Sequence, residues 1–189
     1  LDLEICQGDI LCFVGENGSG KTTLIESLVG IIPLTSGQVE WFSEKDESLI
    51  IRNYSGTREK PYPFGLTLQS DGVCGEEKVT ERLITALNVS GIDCSQIEAK
   101  QILEEWGMSH RGEDRVSQLS AGLRRRLAVM SGMAPAMMCE APRIVFLDEP
   151  SEGLDSFSKR VLKKWISELS QYGNAIIMAS HDKEIISCS

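Results

Sequence analysis

The sequence predicts an α/β fold in which a mostly parallel sheet carries a small antiparallel β layer and an inserted helical lobe. Three observations predict it. The apolar run Asp9-Ile10-Leu11-Cys12-Phe13-Val14 stops at a glycine-rich loop, Gly15 to Gly20, and a helical pattern follows. Strand, loop and helix in that order open a doubly wound α/β unit. Further along, Ile144-Val145-Phe146-Leu147 and Ala175-Ile176-Ile177-Met178 are short apolar runs that read as buried strands. Between the first strand and these two, Glu76 to Trp106 turns to a helical period.

The elements follow in order. After the glycine loop, Leu24, Ile25, Leu28 and Val29 mark a helix that Gly30 and Pro33 end. From Gly37 to about Gln69, Val39-Glu40-Trp41-Phe42 and Leu49-Ile50-Ile51 read as short strands of the antiparallel layer, with Pro61 and Pro63 punctuating a loop. Val79, Leu83, Ile84 and Leu87 mark one helical face and Ile97, Ile102, Leu103 and Trp106 a second. Gly91 and Asp93 lie between them as breaker and possible cap. A helix then carries Leu123 through Met130, and Phe157, Val161, Leu162, Trp165, Ile166 and Leu169 form an amphipathic helix that Gly173 stops. The chain of 189 residues, 41% hydrophobic, suffices for one sizeable core. The expected division is a single domain over 1–189, with 1–75 and 120–189 forming the core and its antiparallel layer and about 76–119 forming the helical lobe.

Composition narrows the function classes. A formal net charge of −9 argues against a broad nucleic-acid surface, whose affinity rests on cationic contacts to phosphate. It leaves room for a nucleotide held by a few focused groups. The six cysteines, Cys6, Cys12, Cys74, Cys94, Cys139 and Cys188, form no C-x-x-C pair, and two histidines add little to a zinc site. Reduced thiols of a cytoplasmic protein are expected. No apolar run approaches the roughly 20 residues that span a bilayer. The start, Leu1-Asp2-Leu3-Glu4, shows no basic region followed by an apolar stretch, so no signal peptide is expected there.

Gly15-Glu16-Asn17-Gly18-Ser19-Gly20-Lys21-Thr22 matches the phosphate-binding pattern G-x-x-x-x-G-K-[ST]. The glycines let backbone N–H groups turn in around phosphate oxygens, and the following helix presents its positive end. Lys21 can reach the β- and γ-phosphates, and the Thr22 hydroxyl can ligate Mg²⁺. Burial of Ile144 to Leu147 makes the Asp148 carboxylate emerge at the carboxyl end of its strand, where ligands bind in open α/β sheets. Asp148 is the candidate for orienting Mg²⁺, and Glu149 for orienting or deprotonating the attacking water.

These motifs specify a P-loop nucleotide hydrolase, and Leu119-Ser120-Ala121-Gly122-Leu123 narrows it further. The segment resembles the LSGGQ signature of ABC ATPases and lies upstream of the Asp148 strand, as in that family. Gln69 looks like the Q-loop glutamine, and Val79-Thr80-Glu81-Arg82-Leu83 resembles the T-V-x-E-N-L segment. Pro150-Ser151-Glu152-Gly153-Leu154-Asp155 resembles the stretch holding the D-loop, and Ala179-Ser180-His181-Asp182 the switch histidine. The signature departs from the family in Ala121 and in Leu123, which stands where glutamine is usual. The aromatic residue that stacks on adenine in the family precedes the first strand and is missing here. The sequence therefore reads as a domain trimmed at both ends.

The resemblance implies ATP and Mg²⁺ as ligands. Gly15, Asn17, Gly18, Ser19, Gly20, Lys21, Thr22 and Thr23 would hold the nucleotide, joined by Ser120 and Gly122 from an opposing subunit. Thr22, Gln69 and Asp148 would serve the metal, and Glu149, His181 and Gln69 catalysis. It also implies a second nucleotide-binding subunit, an integral membrane transporter subunit, and a location on the cytoplasmic face of a membrane. No nucleic-acid partner is expected. The function implied is to power transport by ATP-driven dimer closure; the alternative is a soluble ABC ATPase acting in translation or DNA repair. An unrelated P-loop kinase or GTPase would leave the signature, D-loop and His181 unexplained. Arg124-Arg125-Arg126, the densest positive run, reads as a solvated helix face or as a partner or phosphate contact.

Overall fold

The computed structural model describes residues 2–42, 48–56, 64–70 and 75–188. The elements are strand β1 (Ile10–Phe13), helix α1 (Lys21–Val29), β2 (Gln38–Phe42), β3 (Ser48–Asn53), β4 (Phe64–Thr67), α2 (Val79–Val89), α3 (Gln96–Glu105), α4 (Ala121–Met137), β5 (Ile144–Asp148), α5 (Ser156–Gln171), β6 (Ala175–Ala179) and the short α6 (Lys183–Ile186). Single 3₁₀ turns stand at Ser109–Arg111 and Val116–Gln118.

The main sheet has the order β1-β6-β5-β4, and its three pairings are all parallel. Such sheets are covered on both faces, which is why their strands read as unbroken apolar runs. All five residues of β6 are buried. One face packs Val145, Leu147, Ile176 and Met178 against α2–α5. The other packs Phe146, Ile177 and Ala179 against Ile25 and Val29 of α1. Strands β2 and β3 pair antiparallel as a separate ribbon, with a bulge between Val39 and Glu40. The α/β class, the parallel sheet and the antiparallel pair are as the sequence predicts.

Two local readings differ. Phe64–Thr67 lies in the stretch assigned to the antiparallel layer, yet it is the edge strand of the parallel sheet, in register with Ile144–Leu147. Its four residues include Gly65, too short and too interrupted a run to show a period. The cap of α3 is Ser95 rather than Asp93. The Ser95 hydroxyl accepts from the Glu98 N–H at 3.2 Å while the Glu98 carboxylate accepts from the Ser95 N–H at 2.8 Å, a reciprocal capping box. Pro61 and Pro63 lie outside the described residues.

Helix α4 ties the layers together. A Cβ on Gly132 would collide with the Leu66 carbonyl oxygen and the Thr67 hydroxyl, so only glycine lets the helix lie this close to β4. Helix α2 packs against α4 and α3 against α2, and Trp106 just past α3 meets Trp165 of α5 edge to face, with centroids 5.2 Å apart. No helix among the described residues is long and apolar enough to cross a membrane.

Candidate nucleotide-binding and hydrolytic site

The parallel sheet brings its carboxyl-end loops to one edge. The loop after β1 runs from Gly15 into α1, with Gly18 and Gly20 at φ of 83° and 92°. These left-handed conformations are open to glycine at little cost. Gly20 sits at the N-cap without a side chain that could bond the first turn, so the leading N–H groups of α1 face the loop uncapped. This is the anion-binding end of a helix. The Lys21 ammonium donates to the Gly15 carbonyl at 2.8 Å and to that of Glu16 at 3.2 Å, keeping its charge over the same loop.

Asp148, the last residue of β5, is fully buried, and neither carboxylate oxygen has a hydrogen-bond partner. Burial pushes its pKa up; the neighbouring Thr22 hydroxyl works the other way without completing a bond, and the Glu149 charge adds to the rise. A desolvated carboxylate with no donor is costly unless a cation balances it. The donor set, one carboxylate with a hydroxyl from the phosphate loop, suits a hard cation that takes its remaining ligands from phosphate and water. The described residues contain no cluster of three or more acidic, histidine or cysteine ligands, so Mg²⁺ fits here only as a phosphate-shared ion.

Glu149 follows with φ of 46°, the one non-glycine residue with positive φ among the described residues. Strained backbone of this kind clusters at functional sites. Its carboxylate accepts from the His181 ring Nδ1 at 2.9 Å and from the His181 backbone N–H at 3.3 Å. The bond from Glu149, then its charge, raises the His181 pKa. Gln69 arrives on the loop after β4, where its side-chain amide donates to Glu152 at 3.1 Å. Ser120 caps α4 by accepting from the Leu123 N–H at 3.3 Å, and Gly122 stands in the first turn. Gln69, Gly122, Arg125 and Glu152 border a concavity of about 430 Å³ that the phosphate loop does not line.

Arg125 was not legible as a site residue in the sequence. It is 4% exposed, and its guanidinium donates to the carbonyls of Leu68 (2.5 Å), Gln69 (3.2 Å), Asp148 (3.2 Å), Glu149 (2.7 Å) and Glu152 (3.2 Å). Its neighbours in the run are also engaged. Arg124 donates to the Leu119 carbonyl at 2.7 Å, and Arg126 pairs with Asp155 at 2.8 Å and donates to the Trp106 carbonyl at 3.1 Å. The solvated-face reading of this run is therefore corrected. The available signal was helical spacing, since Ala128, Val129 and Gly132 lie on Arg125's side of the helix and read as core.

A glycine loop at a helix N-terminus, facing an acidic strand end in a parallel sheet, defines a P-loop nucleoside triphosphatase. The particular family follows from comparison. A family model described as ABC transporter matches residues 1–152. The chain is 31% identical over 187 residues to the ergothioneine transport ATP-binding protein EgtV of Helicobacter pylori strain G27, covering 97% of this chain and 82% of that one. It is 32% identical over 185 residues to the bacitracin transport ATP-binding protein BcrA of Bacillus licheniformis, covering 96% of this chain and 55% of that one. A solved ATP-binding subunit of an ABC transporter superposes with a TM-score of 0.73 at 21% identity, covering 95% of this chain and 70% of the other. The chain belongs to the ABC transporter family, and its fold is that of the family's ATP-binding, ATP-hydrolysing domain.

Proposed function

We propose that this chain binds ATP and hydrolyses it to drive an ABC transporter, pairing with a second nucleotide-binding subunit and docking on a membrane subunit at the cytoplasmic face. One observation carries the reading: Asp148 is buried without partners beside Thr22, while Glu149, next in sequence, is held by His181. Gly15 to Thr23 would cradle the phosphates, with Lys21 over the β- and γ-groups. Asp148, Thr22 and Gln69 would hold Mg²⁺, which when bound supplies charge stabilisation at the phosphate oxygens.

Glu149 is the group that orients the water and takes its proton as the water oxygen bonds to the γ-phosphorus and the bridge to the β-phosphate breaks. His181 fixes that carboxylate. Ser120 and Gly122, at the uncovered start of α4, would meet the γ-phosphate of ATP held by the opposing subunit, so ATP joins the subunits and its hydrolysis lets them part. The helical segment 76–119 is the lobe through which closure would reach the membrane partner, with 1–75 and 120–189 as the core. EgtV and BcrA carry different cargoes in their names, ergothioneine and bacitracin, which fits cargo choice residing in the membrane partner. These transport names also disfavour the translation or DNA-repair alternative.

Replacing Glu149 by glutamine tests the reading. The expected result is retained ATP binding with turnover lowered at least about tenfold. Near-normal ATPase activity in Glu149→Gln removes Glu149 from its role.

A further inference from the structure

We infer that Arg125 is a positioning residue that fixes the start of α4 to two distant loops of its own chain, so that a helix offered to the opposing ATP is registered against the local hydrolytic loops. The inference rests on the ATPase reading above for its kinetic arm alone. The geometry is specific. Arg125 lies on the second turn of α4, three residues beyond Gly122 and five beyond the Ser120 cap. Its Nε donates to Glu152, one terminal nitrogen to Leu68 and Gln69, and the other to Asp148 and Glu149. These bonds engage all three guanidinium nitrogens.

The acceptors fall in two segments far apart in sequence: the loop after β4 (Leu68, Gln69), and the end of β5 with the turn that follows it (Asp148, Glu149, Glu152). Buried carbonyls require donors, and the guanidinium supplies one to each of these, the Glu149 carbonyl accepting from the Glu152 N–H as well. A planar fork can meet both at once through five bonds, which a lysine ammonium with three donors cannot. Gln69 adds a second tie between these segments through Glu152. Displacement of either segment by nucleotide therefore pulls on the guanidinium and through it on α4.

Arg125→Met tests this with two readouts. In amide hydrogen exchange, the wild type sets the reference, and the variant is expected to exchange at least about tenfold faster around residues 68–70 and 149–153 while β6 is unchanged. In steady-state hydrolysis of ATP with magnesium, kcat is expected to fall at least about tenfold with KM for ATP within about threefold. If Arg125→Met fails to melt cooperatively, Arg125→Lys replaces it, retaining charge and stem, and faster exchange is expected in at least one of the two segments. Unchanged exchange in those segments overturns the inference, as does acceleration spread evenly through β6. A wild type that hydrolyses no ATP overturns the proposed function instead, and the exchange arm still decides the clamp.

Discussion

At the scale of single residues, the exposed His181 and the buried Asp148 set the pH and stability behaviour of the site. His181 has its pKa raised above the ordinary 6.5 by Glu149. A histidine whose folded pKa is raised contributes stability that is fully present below its unfolded pKa and lost as pH rises through the folded value. The stability gap between wild type and His181→Ala is therefore expected to narrow as pH climbs past neutral. An NMR titration of His181 should give a pKa above 6.5 in the wild type and a lower one in Glu149→Gln; equal values in both would dismiss the pair. The Asp148 pKa is raised as well, so its pH sense is the same, but the cause is burial that disfavours its charge instead of a partner that favours it. Asp148→Asn is expected to stabilise the ligand-free protein by about 1 kcal/mol while abolishing the extra stabilisation by ATP with magnesium. Thermal melts with and without ligand check both halves, and a variant less stable than wild type without ligand would show that Asp148 is balanced from within.

At the scale of elements, α4 shows how a helix can obey close packing against its own propensity. Alanine is the better helix former than glycine by about 1 kcal/mol at an open interior position. At Gly132 the added carbon meets the main chain of β4, and overpacking of this kind costs about 1–3 kcal/mol. Gly132→Ala is expected to lower stability in urea titrations; a gain would mean that the helix can lift off β4 freely. The same helix explains what the sequence hid. The glycine loop, the acidic strand end and the signature were readable because each is a local pattern with its own chemistry. Strand β4 was not, because its identity as the sheet edge comes from pairing with Ile144–Leu147, about eighty residues away. Nor was Arg125, whose acceptors are main-chain carbonyls from two distant loops that only folding brings together. A charge triplet looks solvent-facing until the helix's apolar neighbours are laid on the same side.

At the scale of the whole molecule, the net charge of −9 governs how two copies would meet. Like charges repel, and the repulsion is screened as the Debye length falls from about 30 Å at 0.01 M salt to about 8 Å at 0.15 M. ATP-dependent self-association of Glu149→Gln is thus expected to tighten severalfold between those salt levels in sedimentation velocity; weakening with salt would assign the contact to ion pairs instead. The chain also carries an optical gauge of its own. Trp106, just beyond the α2–α3 pair, and Trp165, on the sheet-bound α5, stand nearly perpendicular at 89° and are both buried. Indoles this close couple their electronic transitions, and the coupling depends on their mutual angle. One ring stands beside the helical pair and the other on the sheet-bound α5, so rotation between those parts would alter the near-ultraviolet dichroism of the couple and be read without a label.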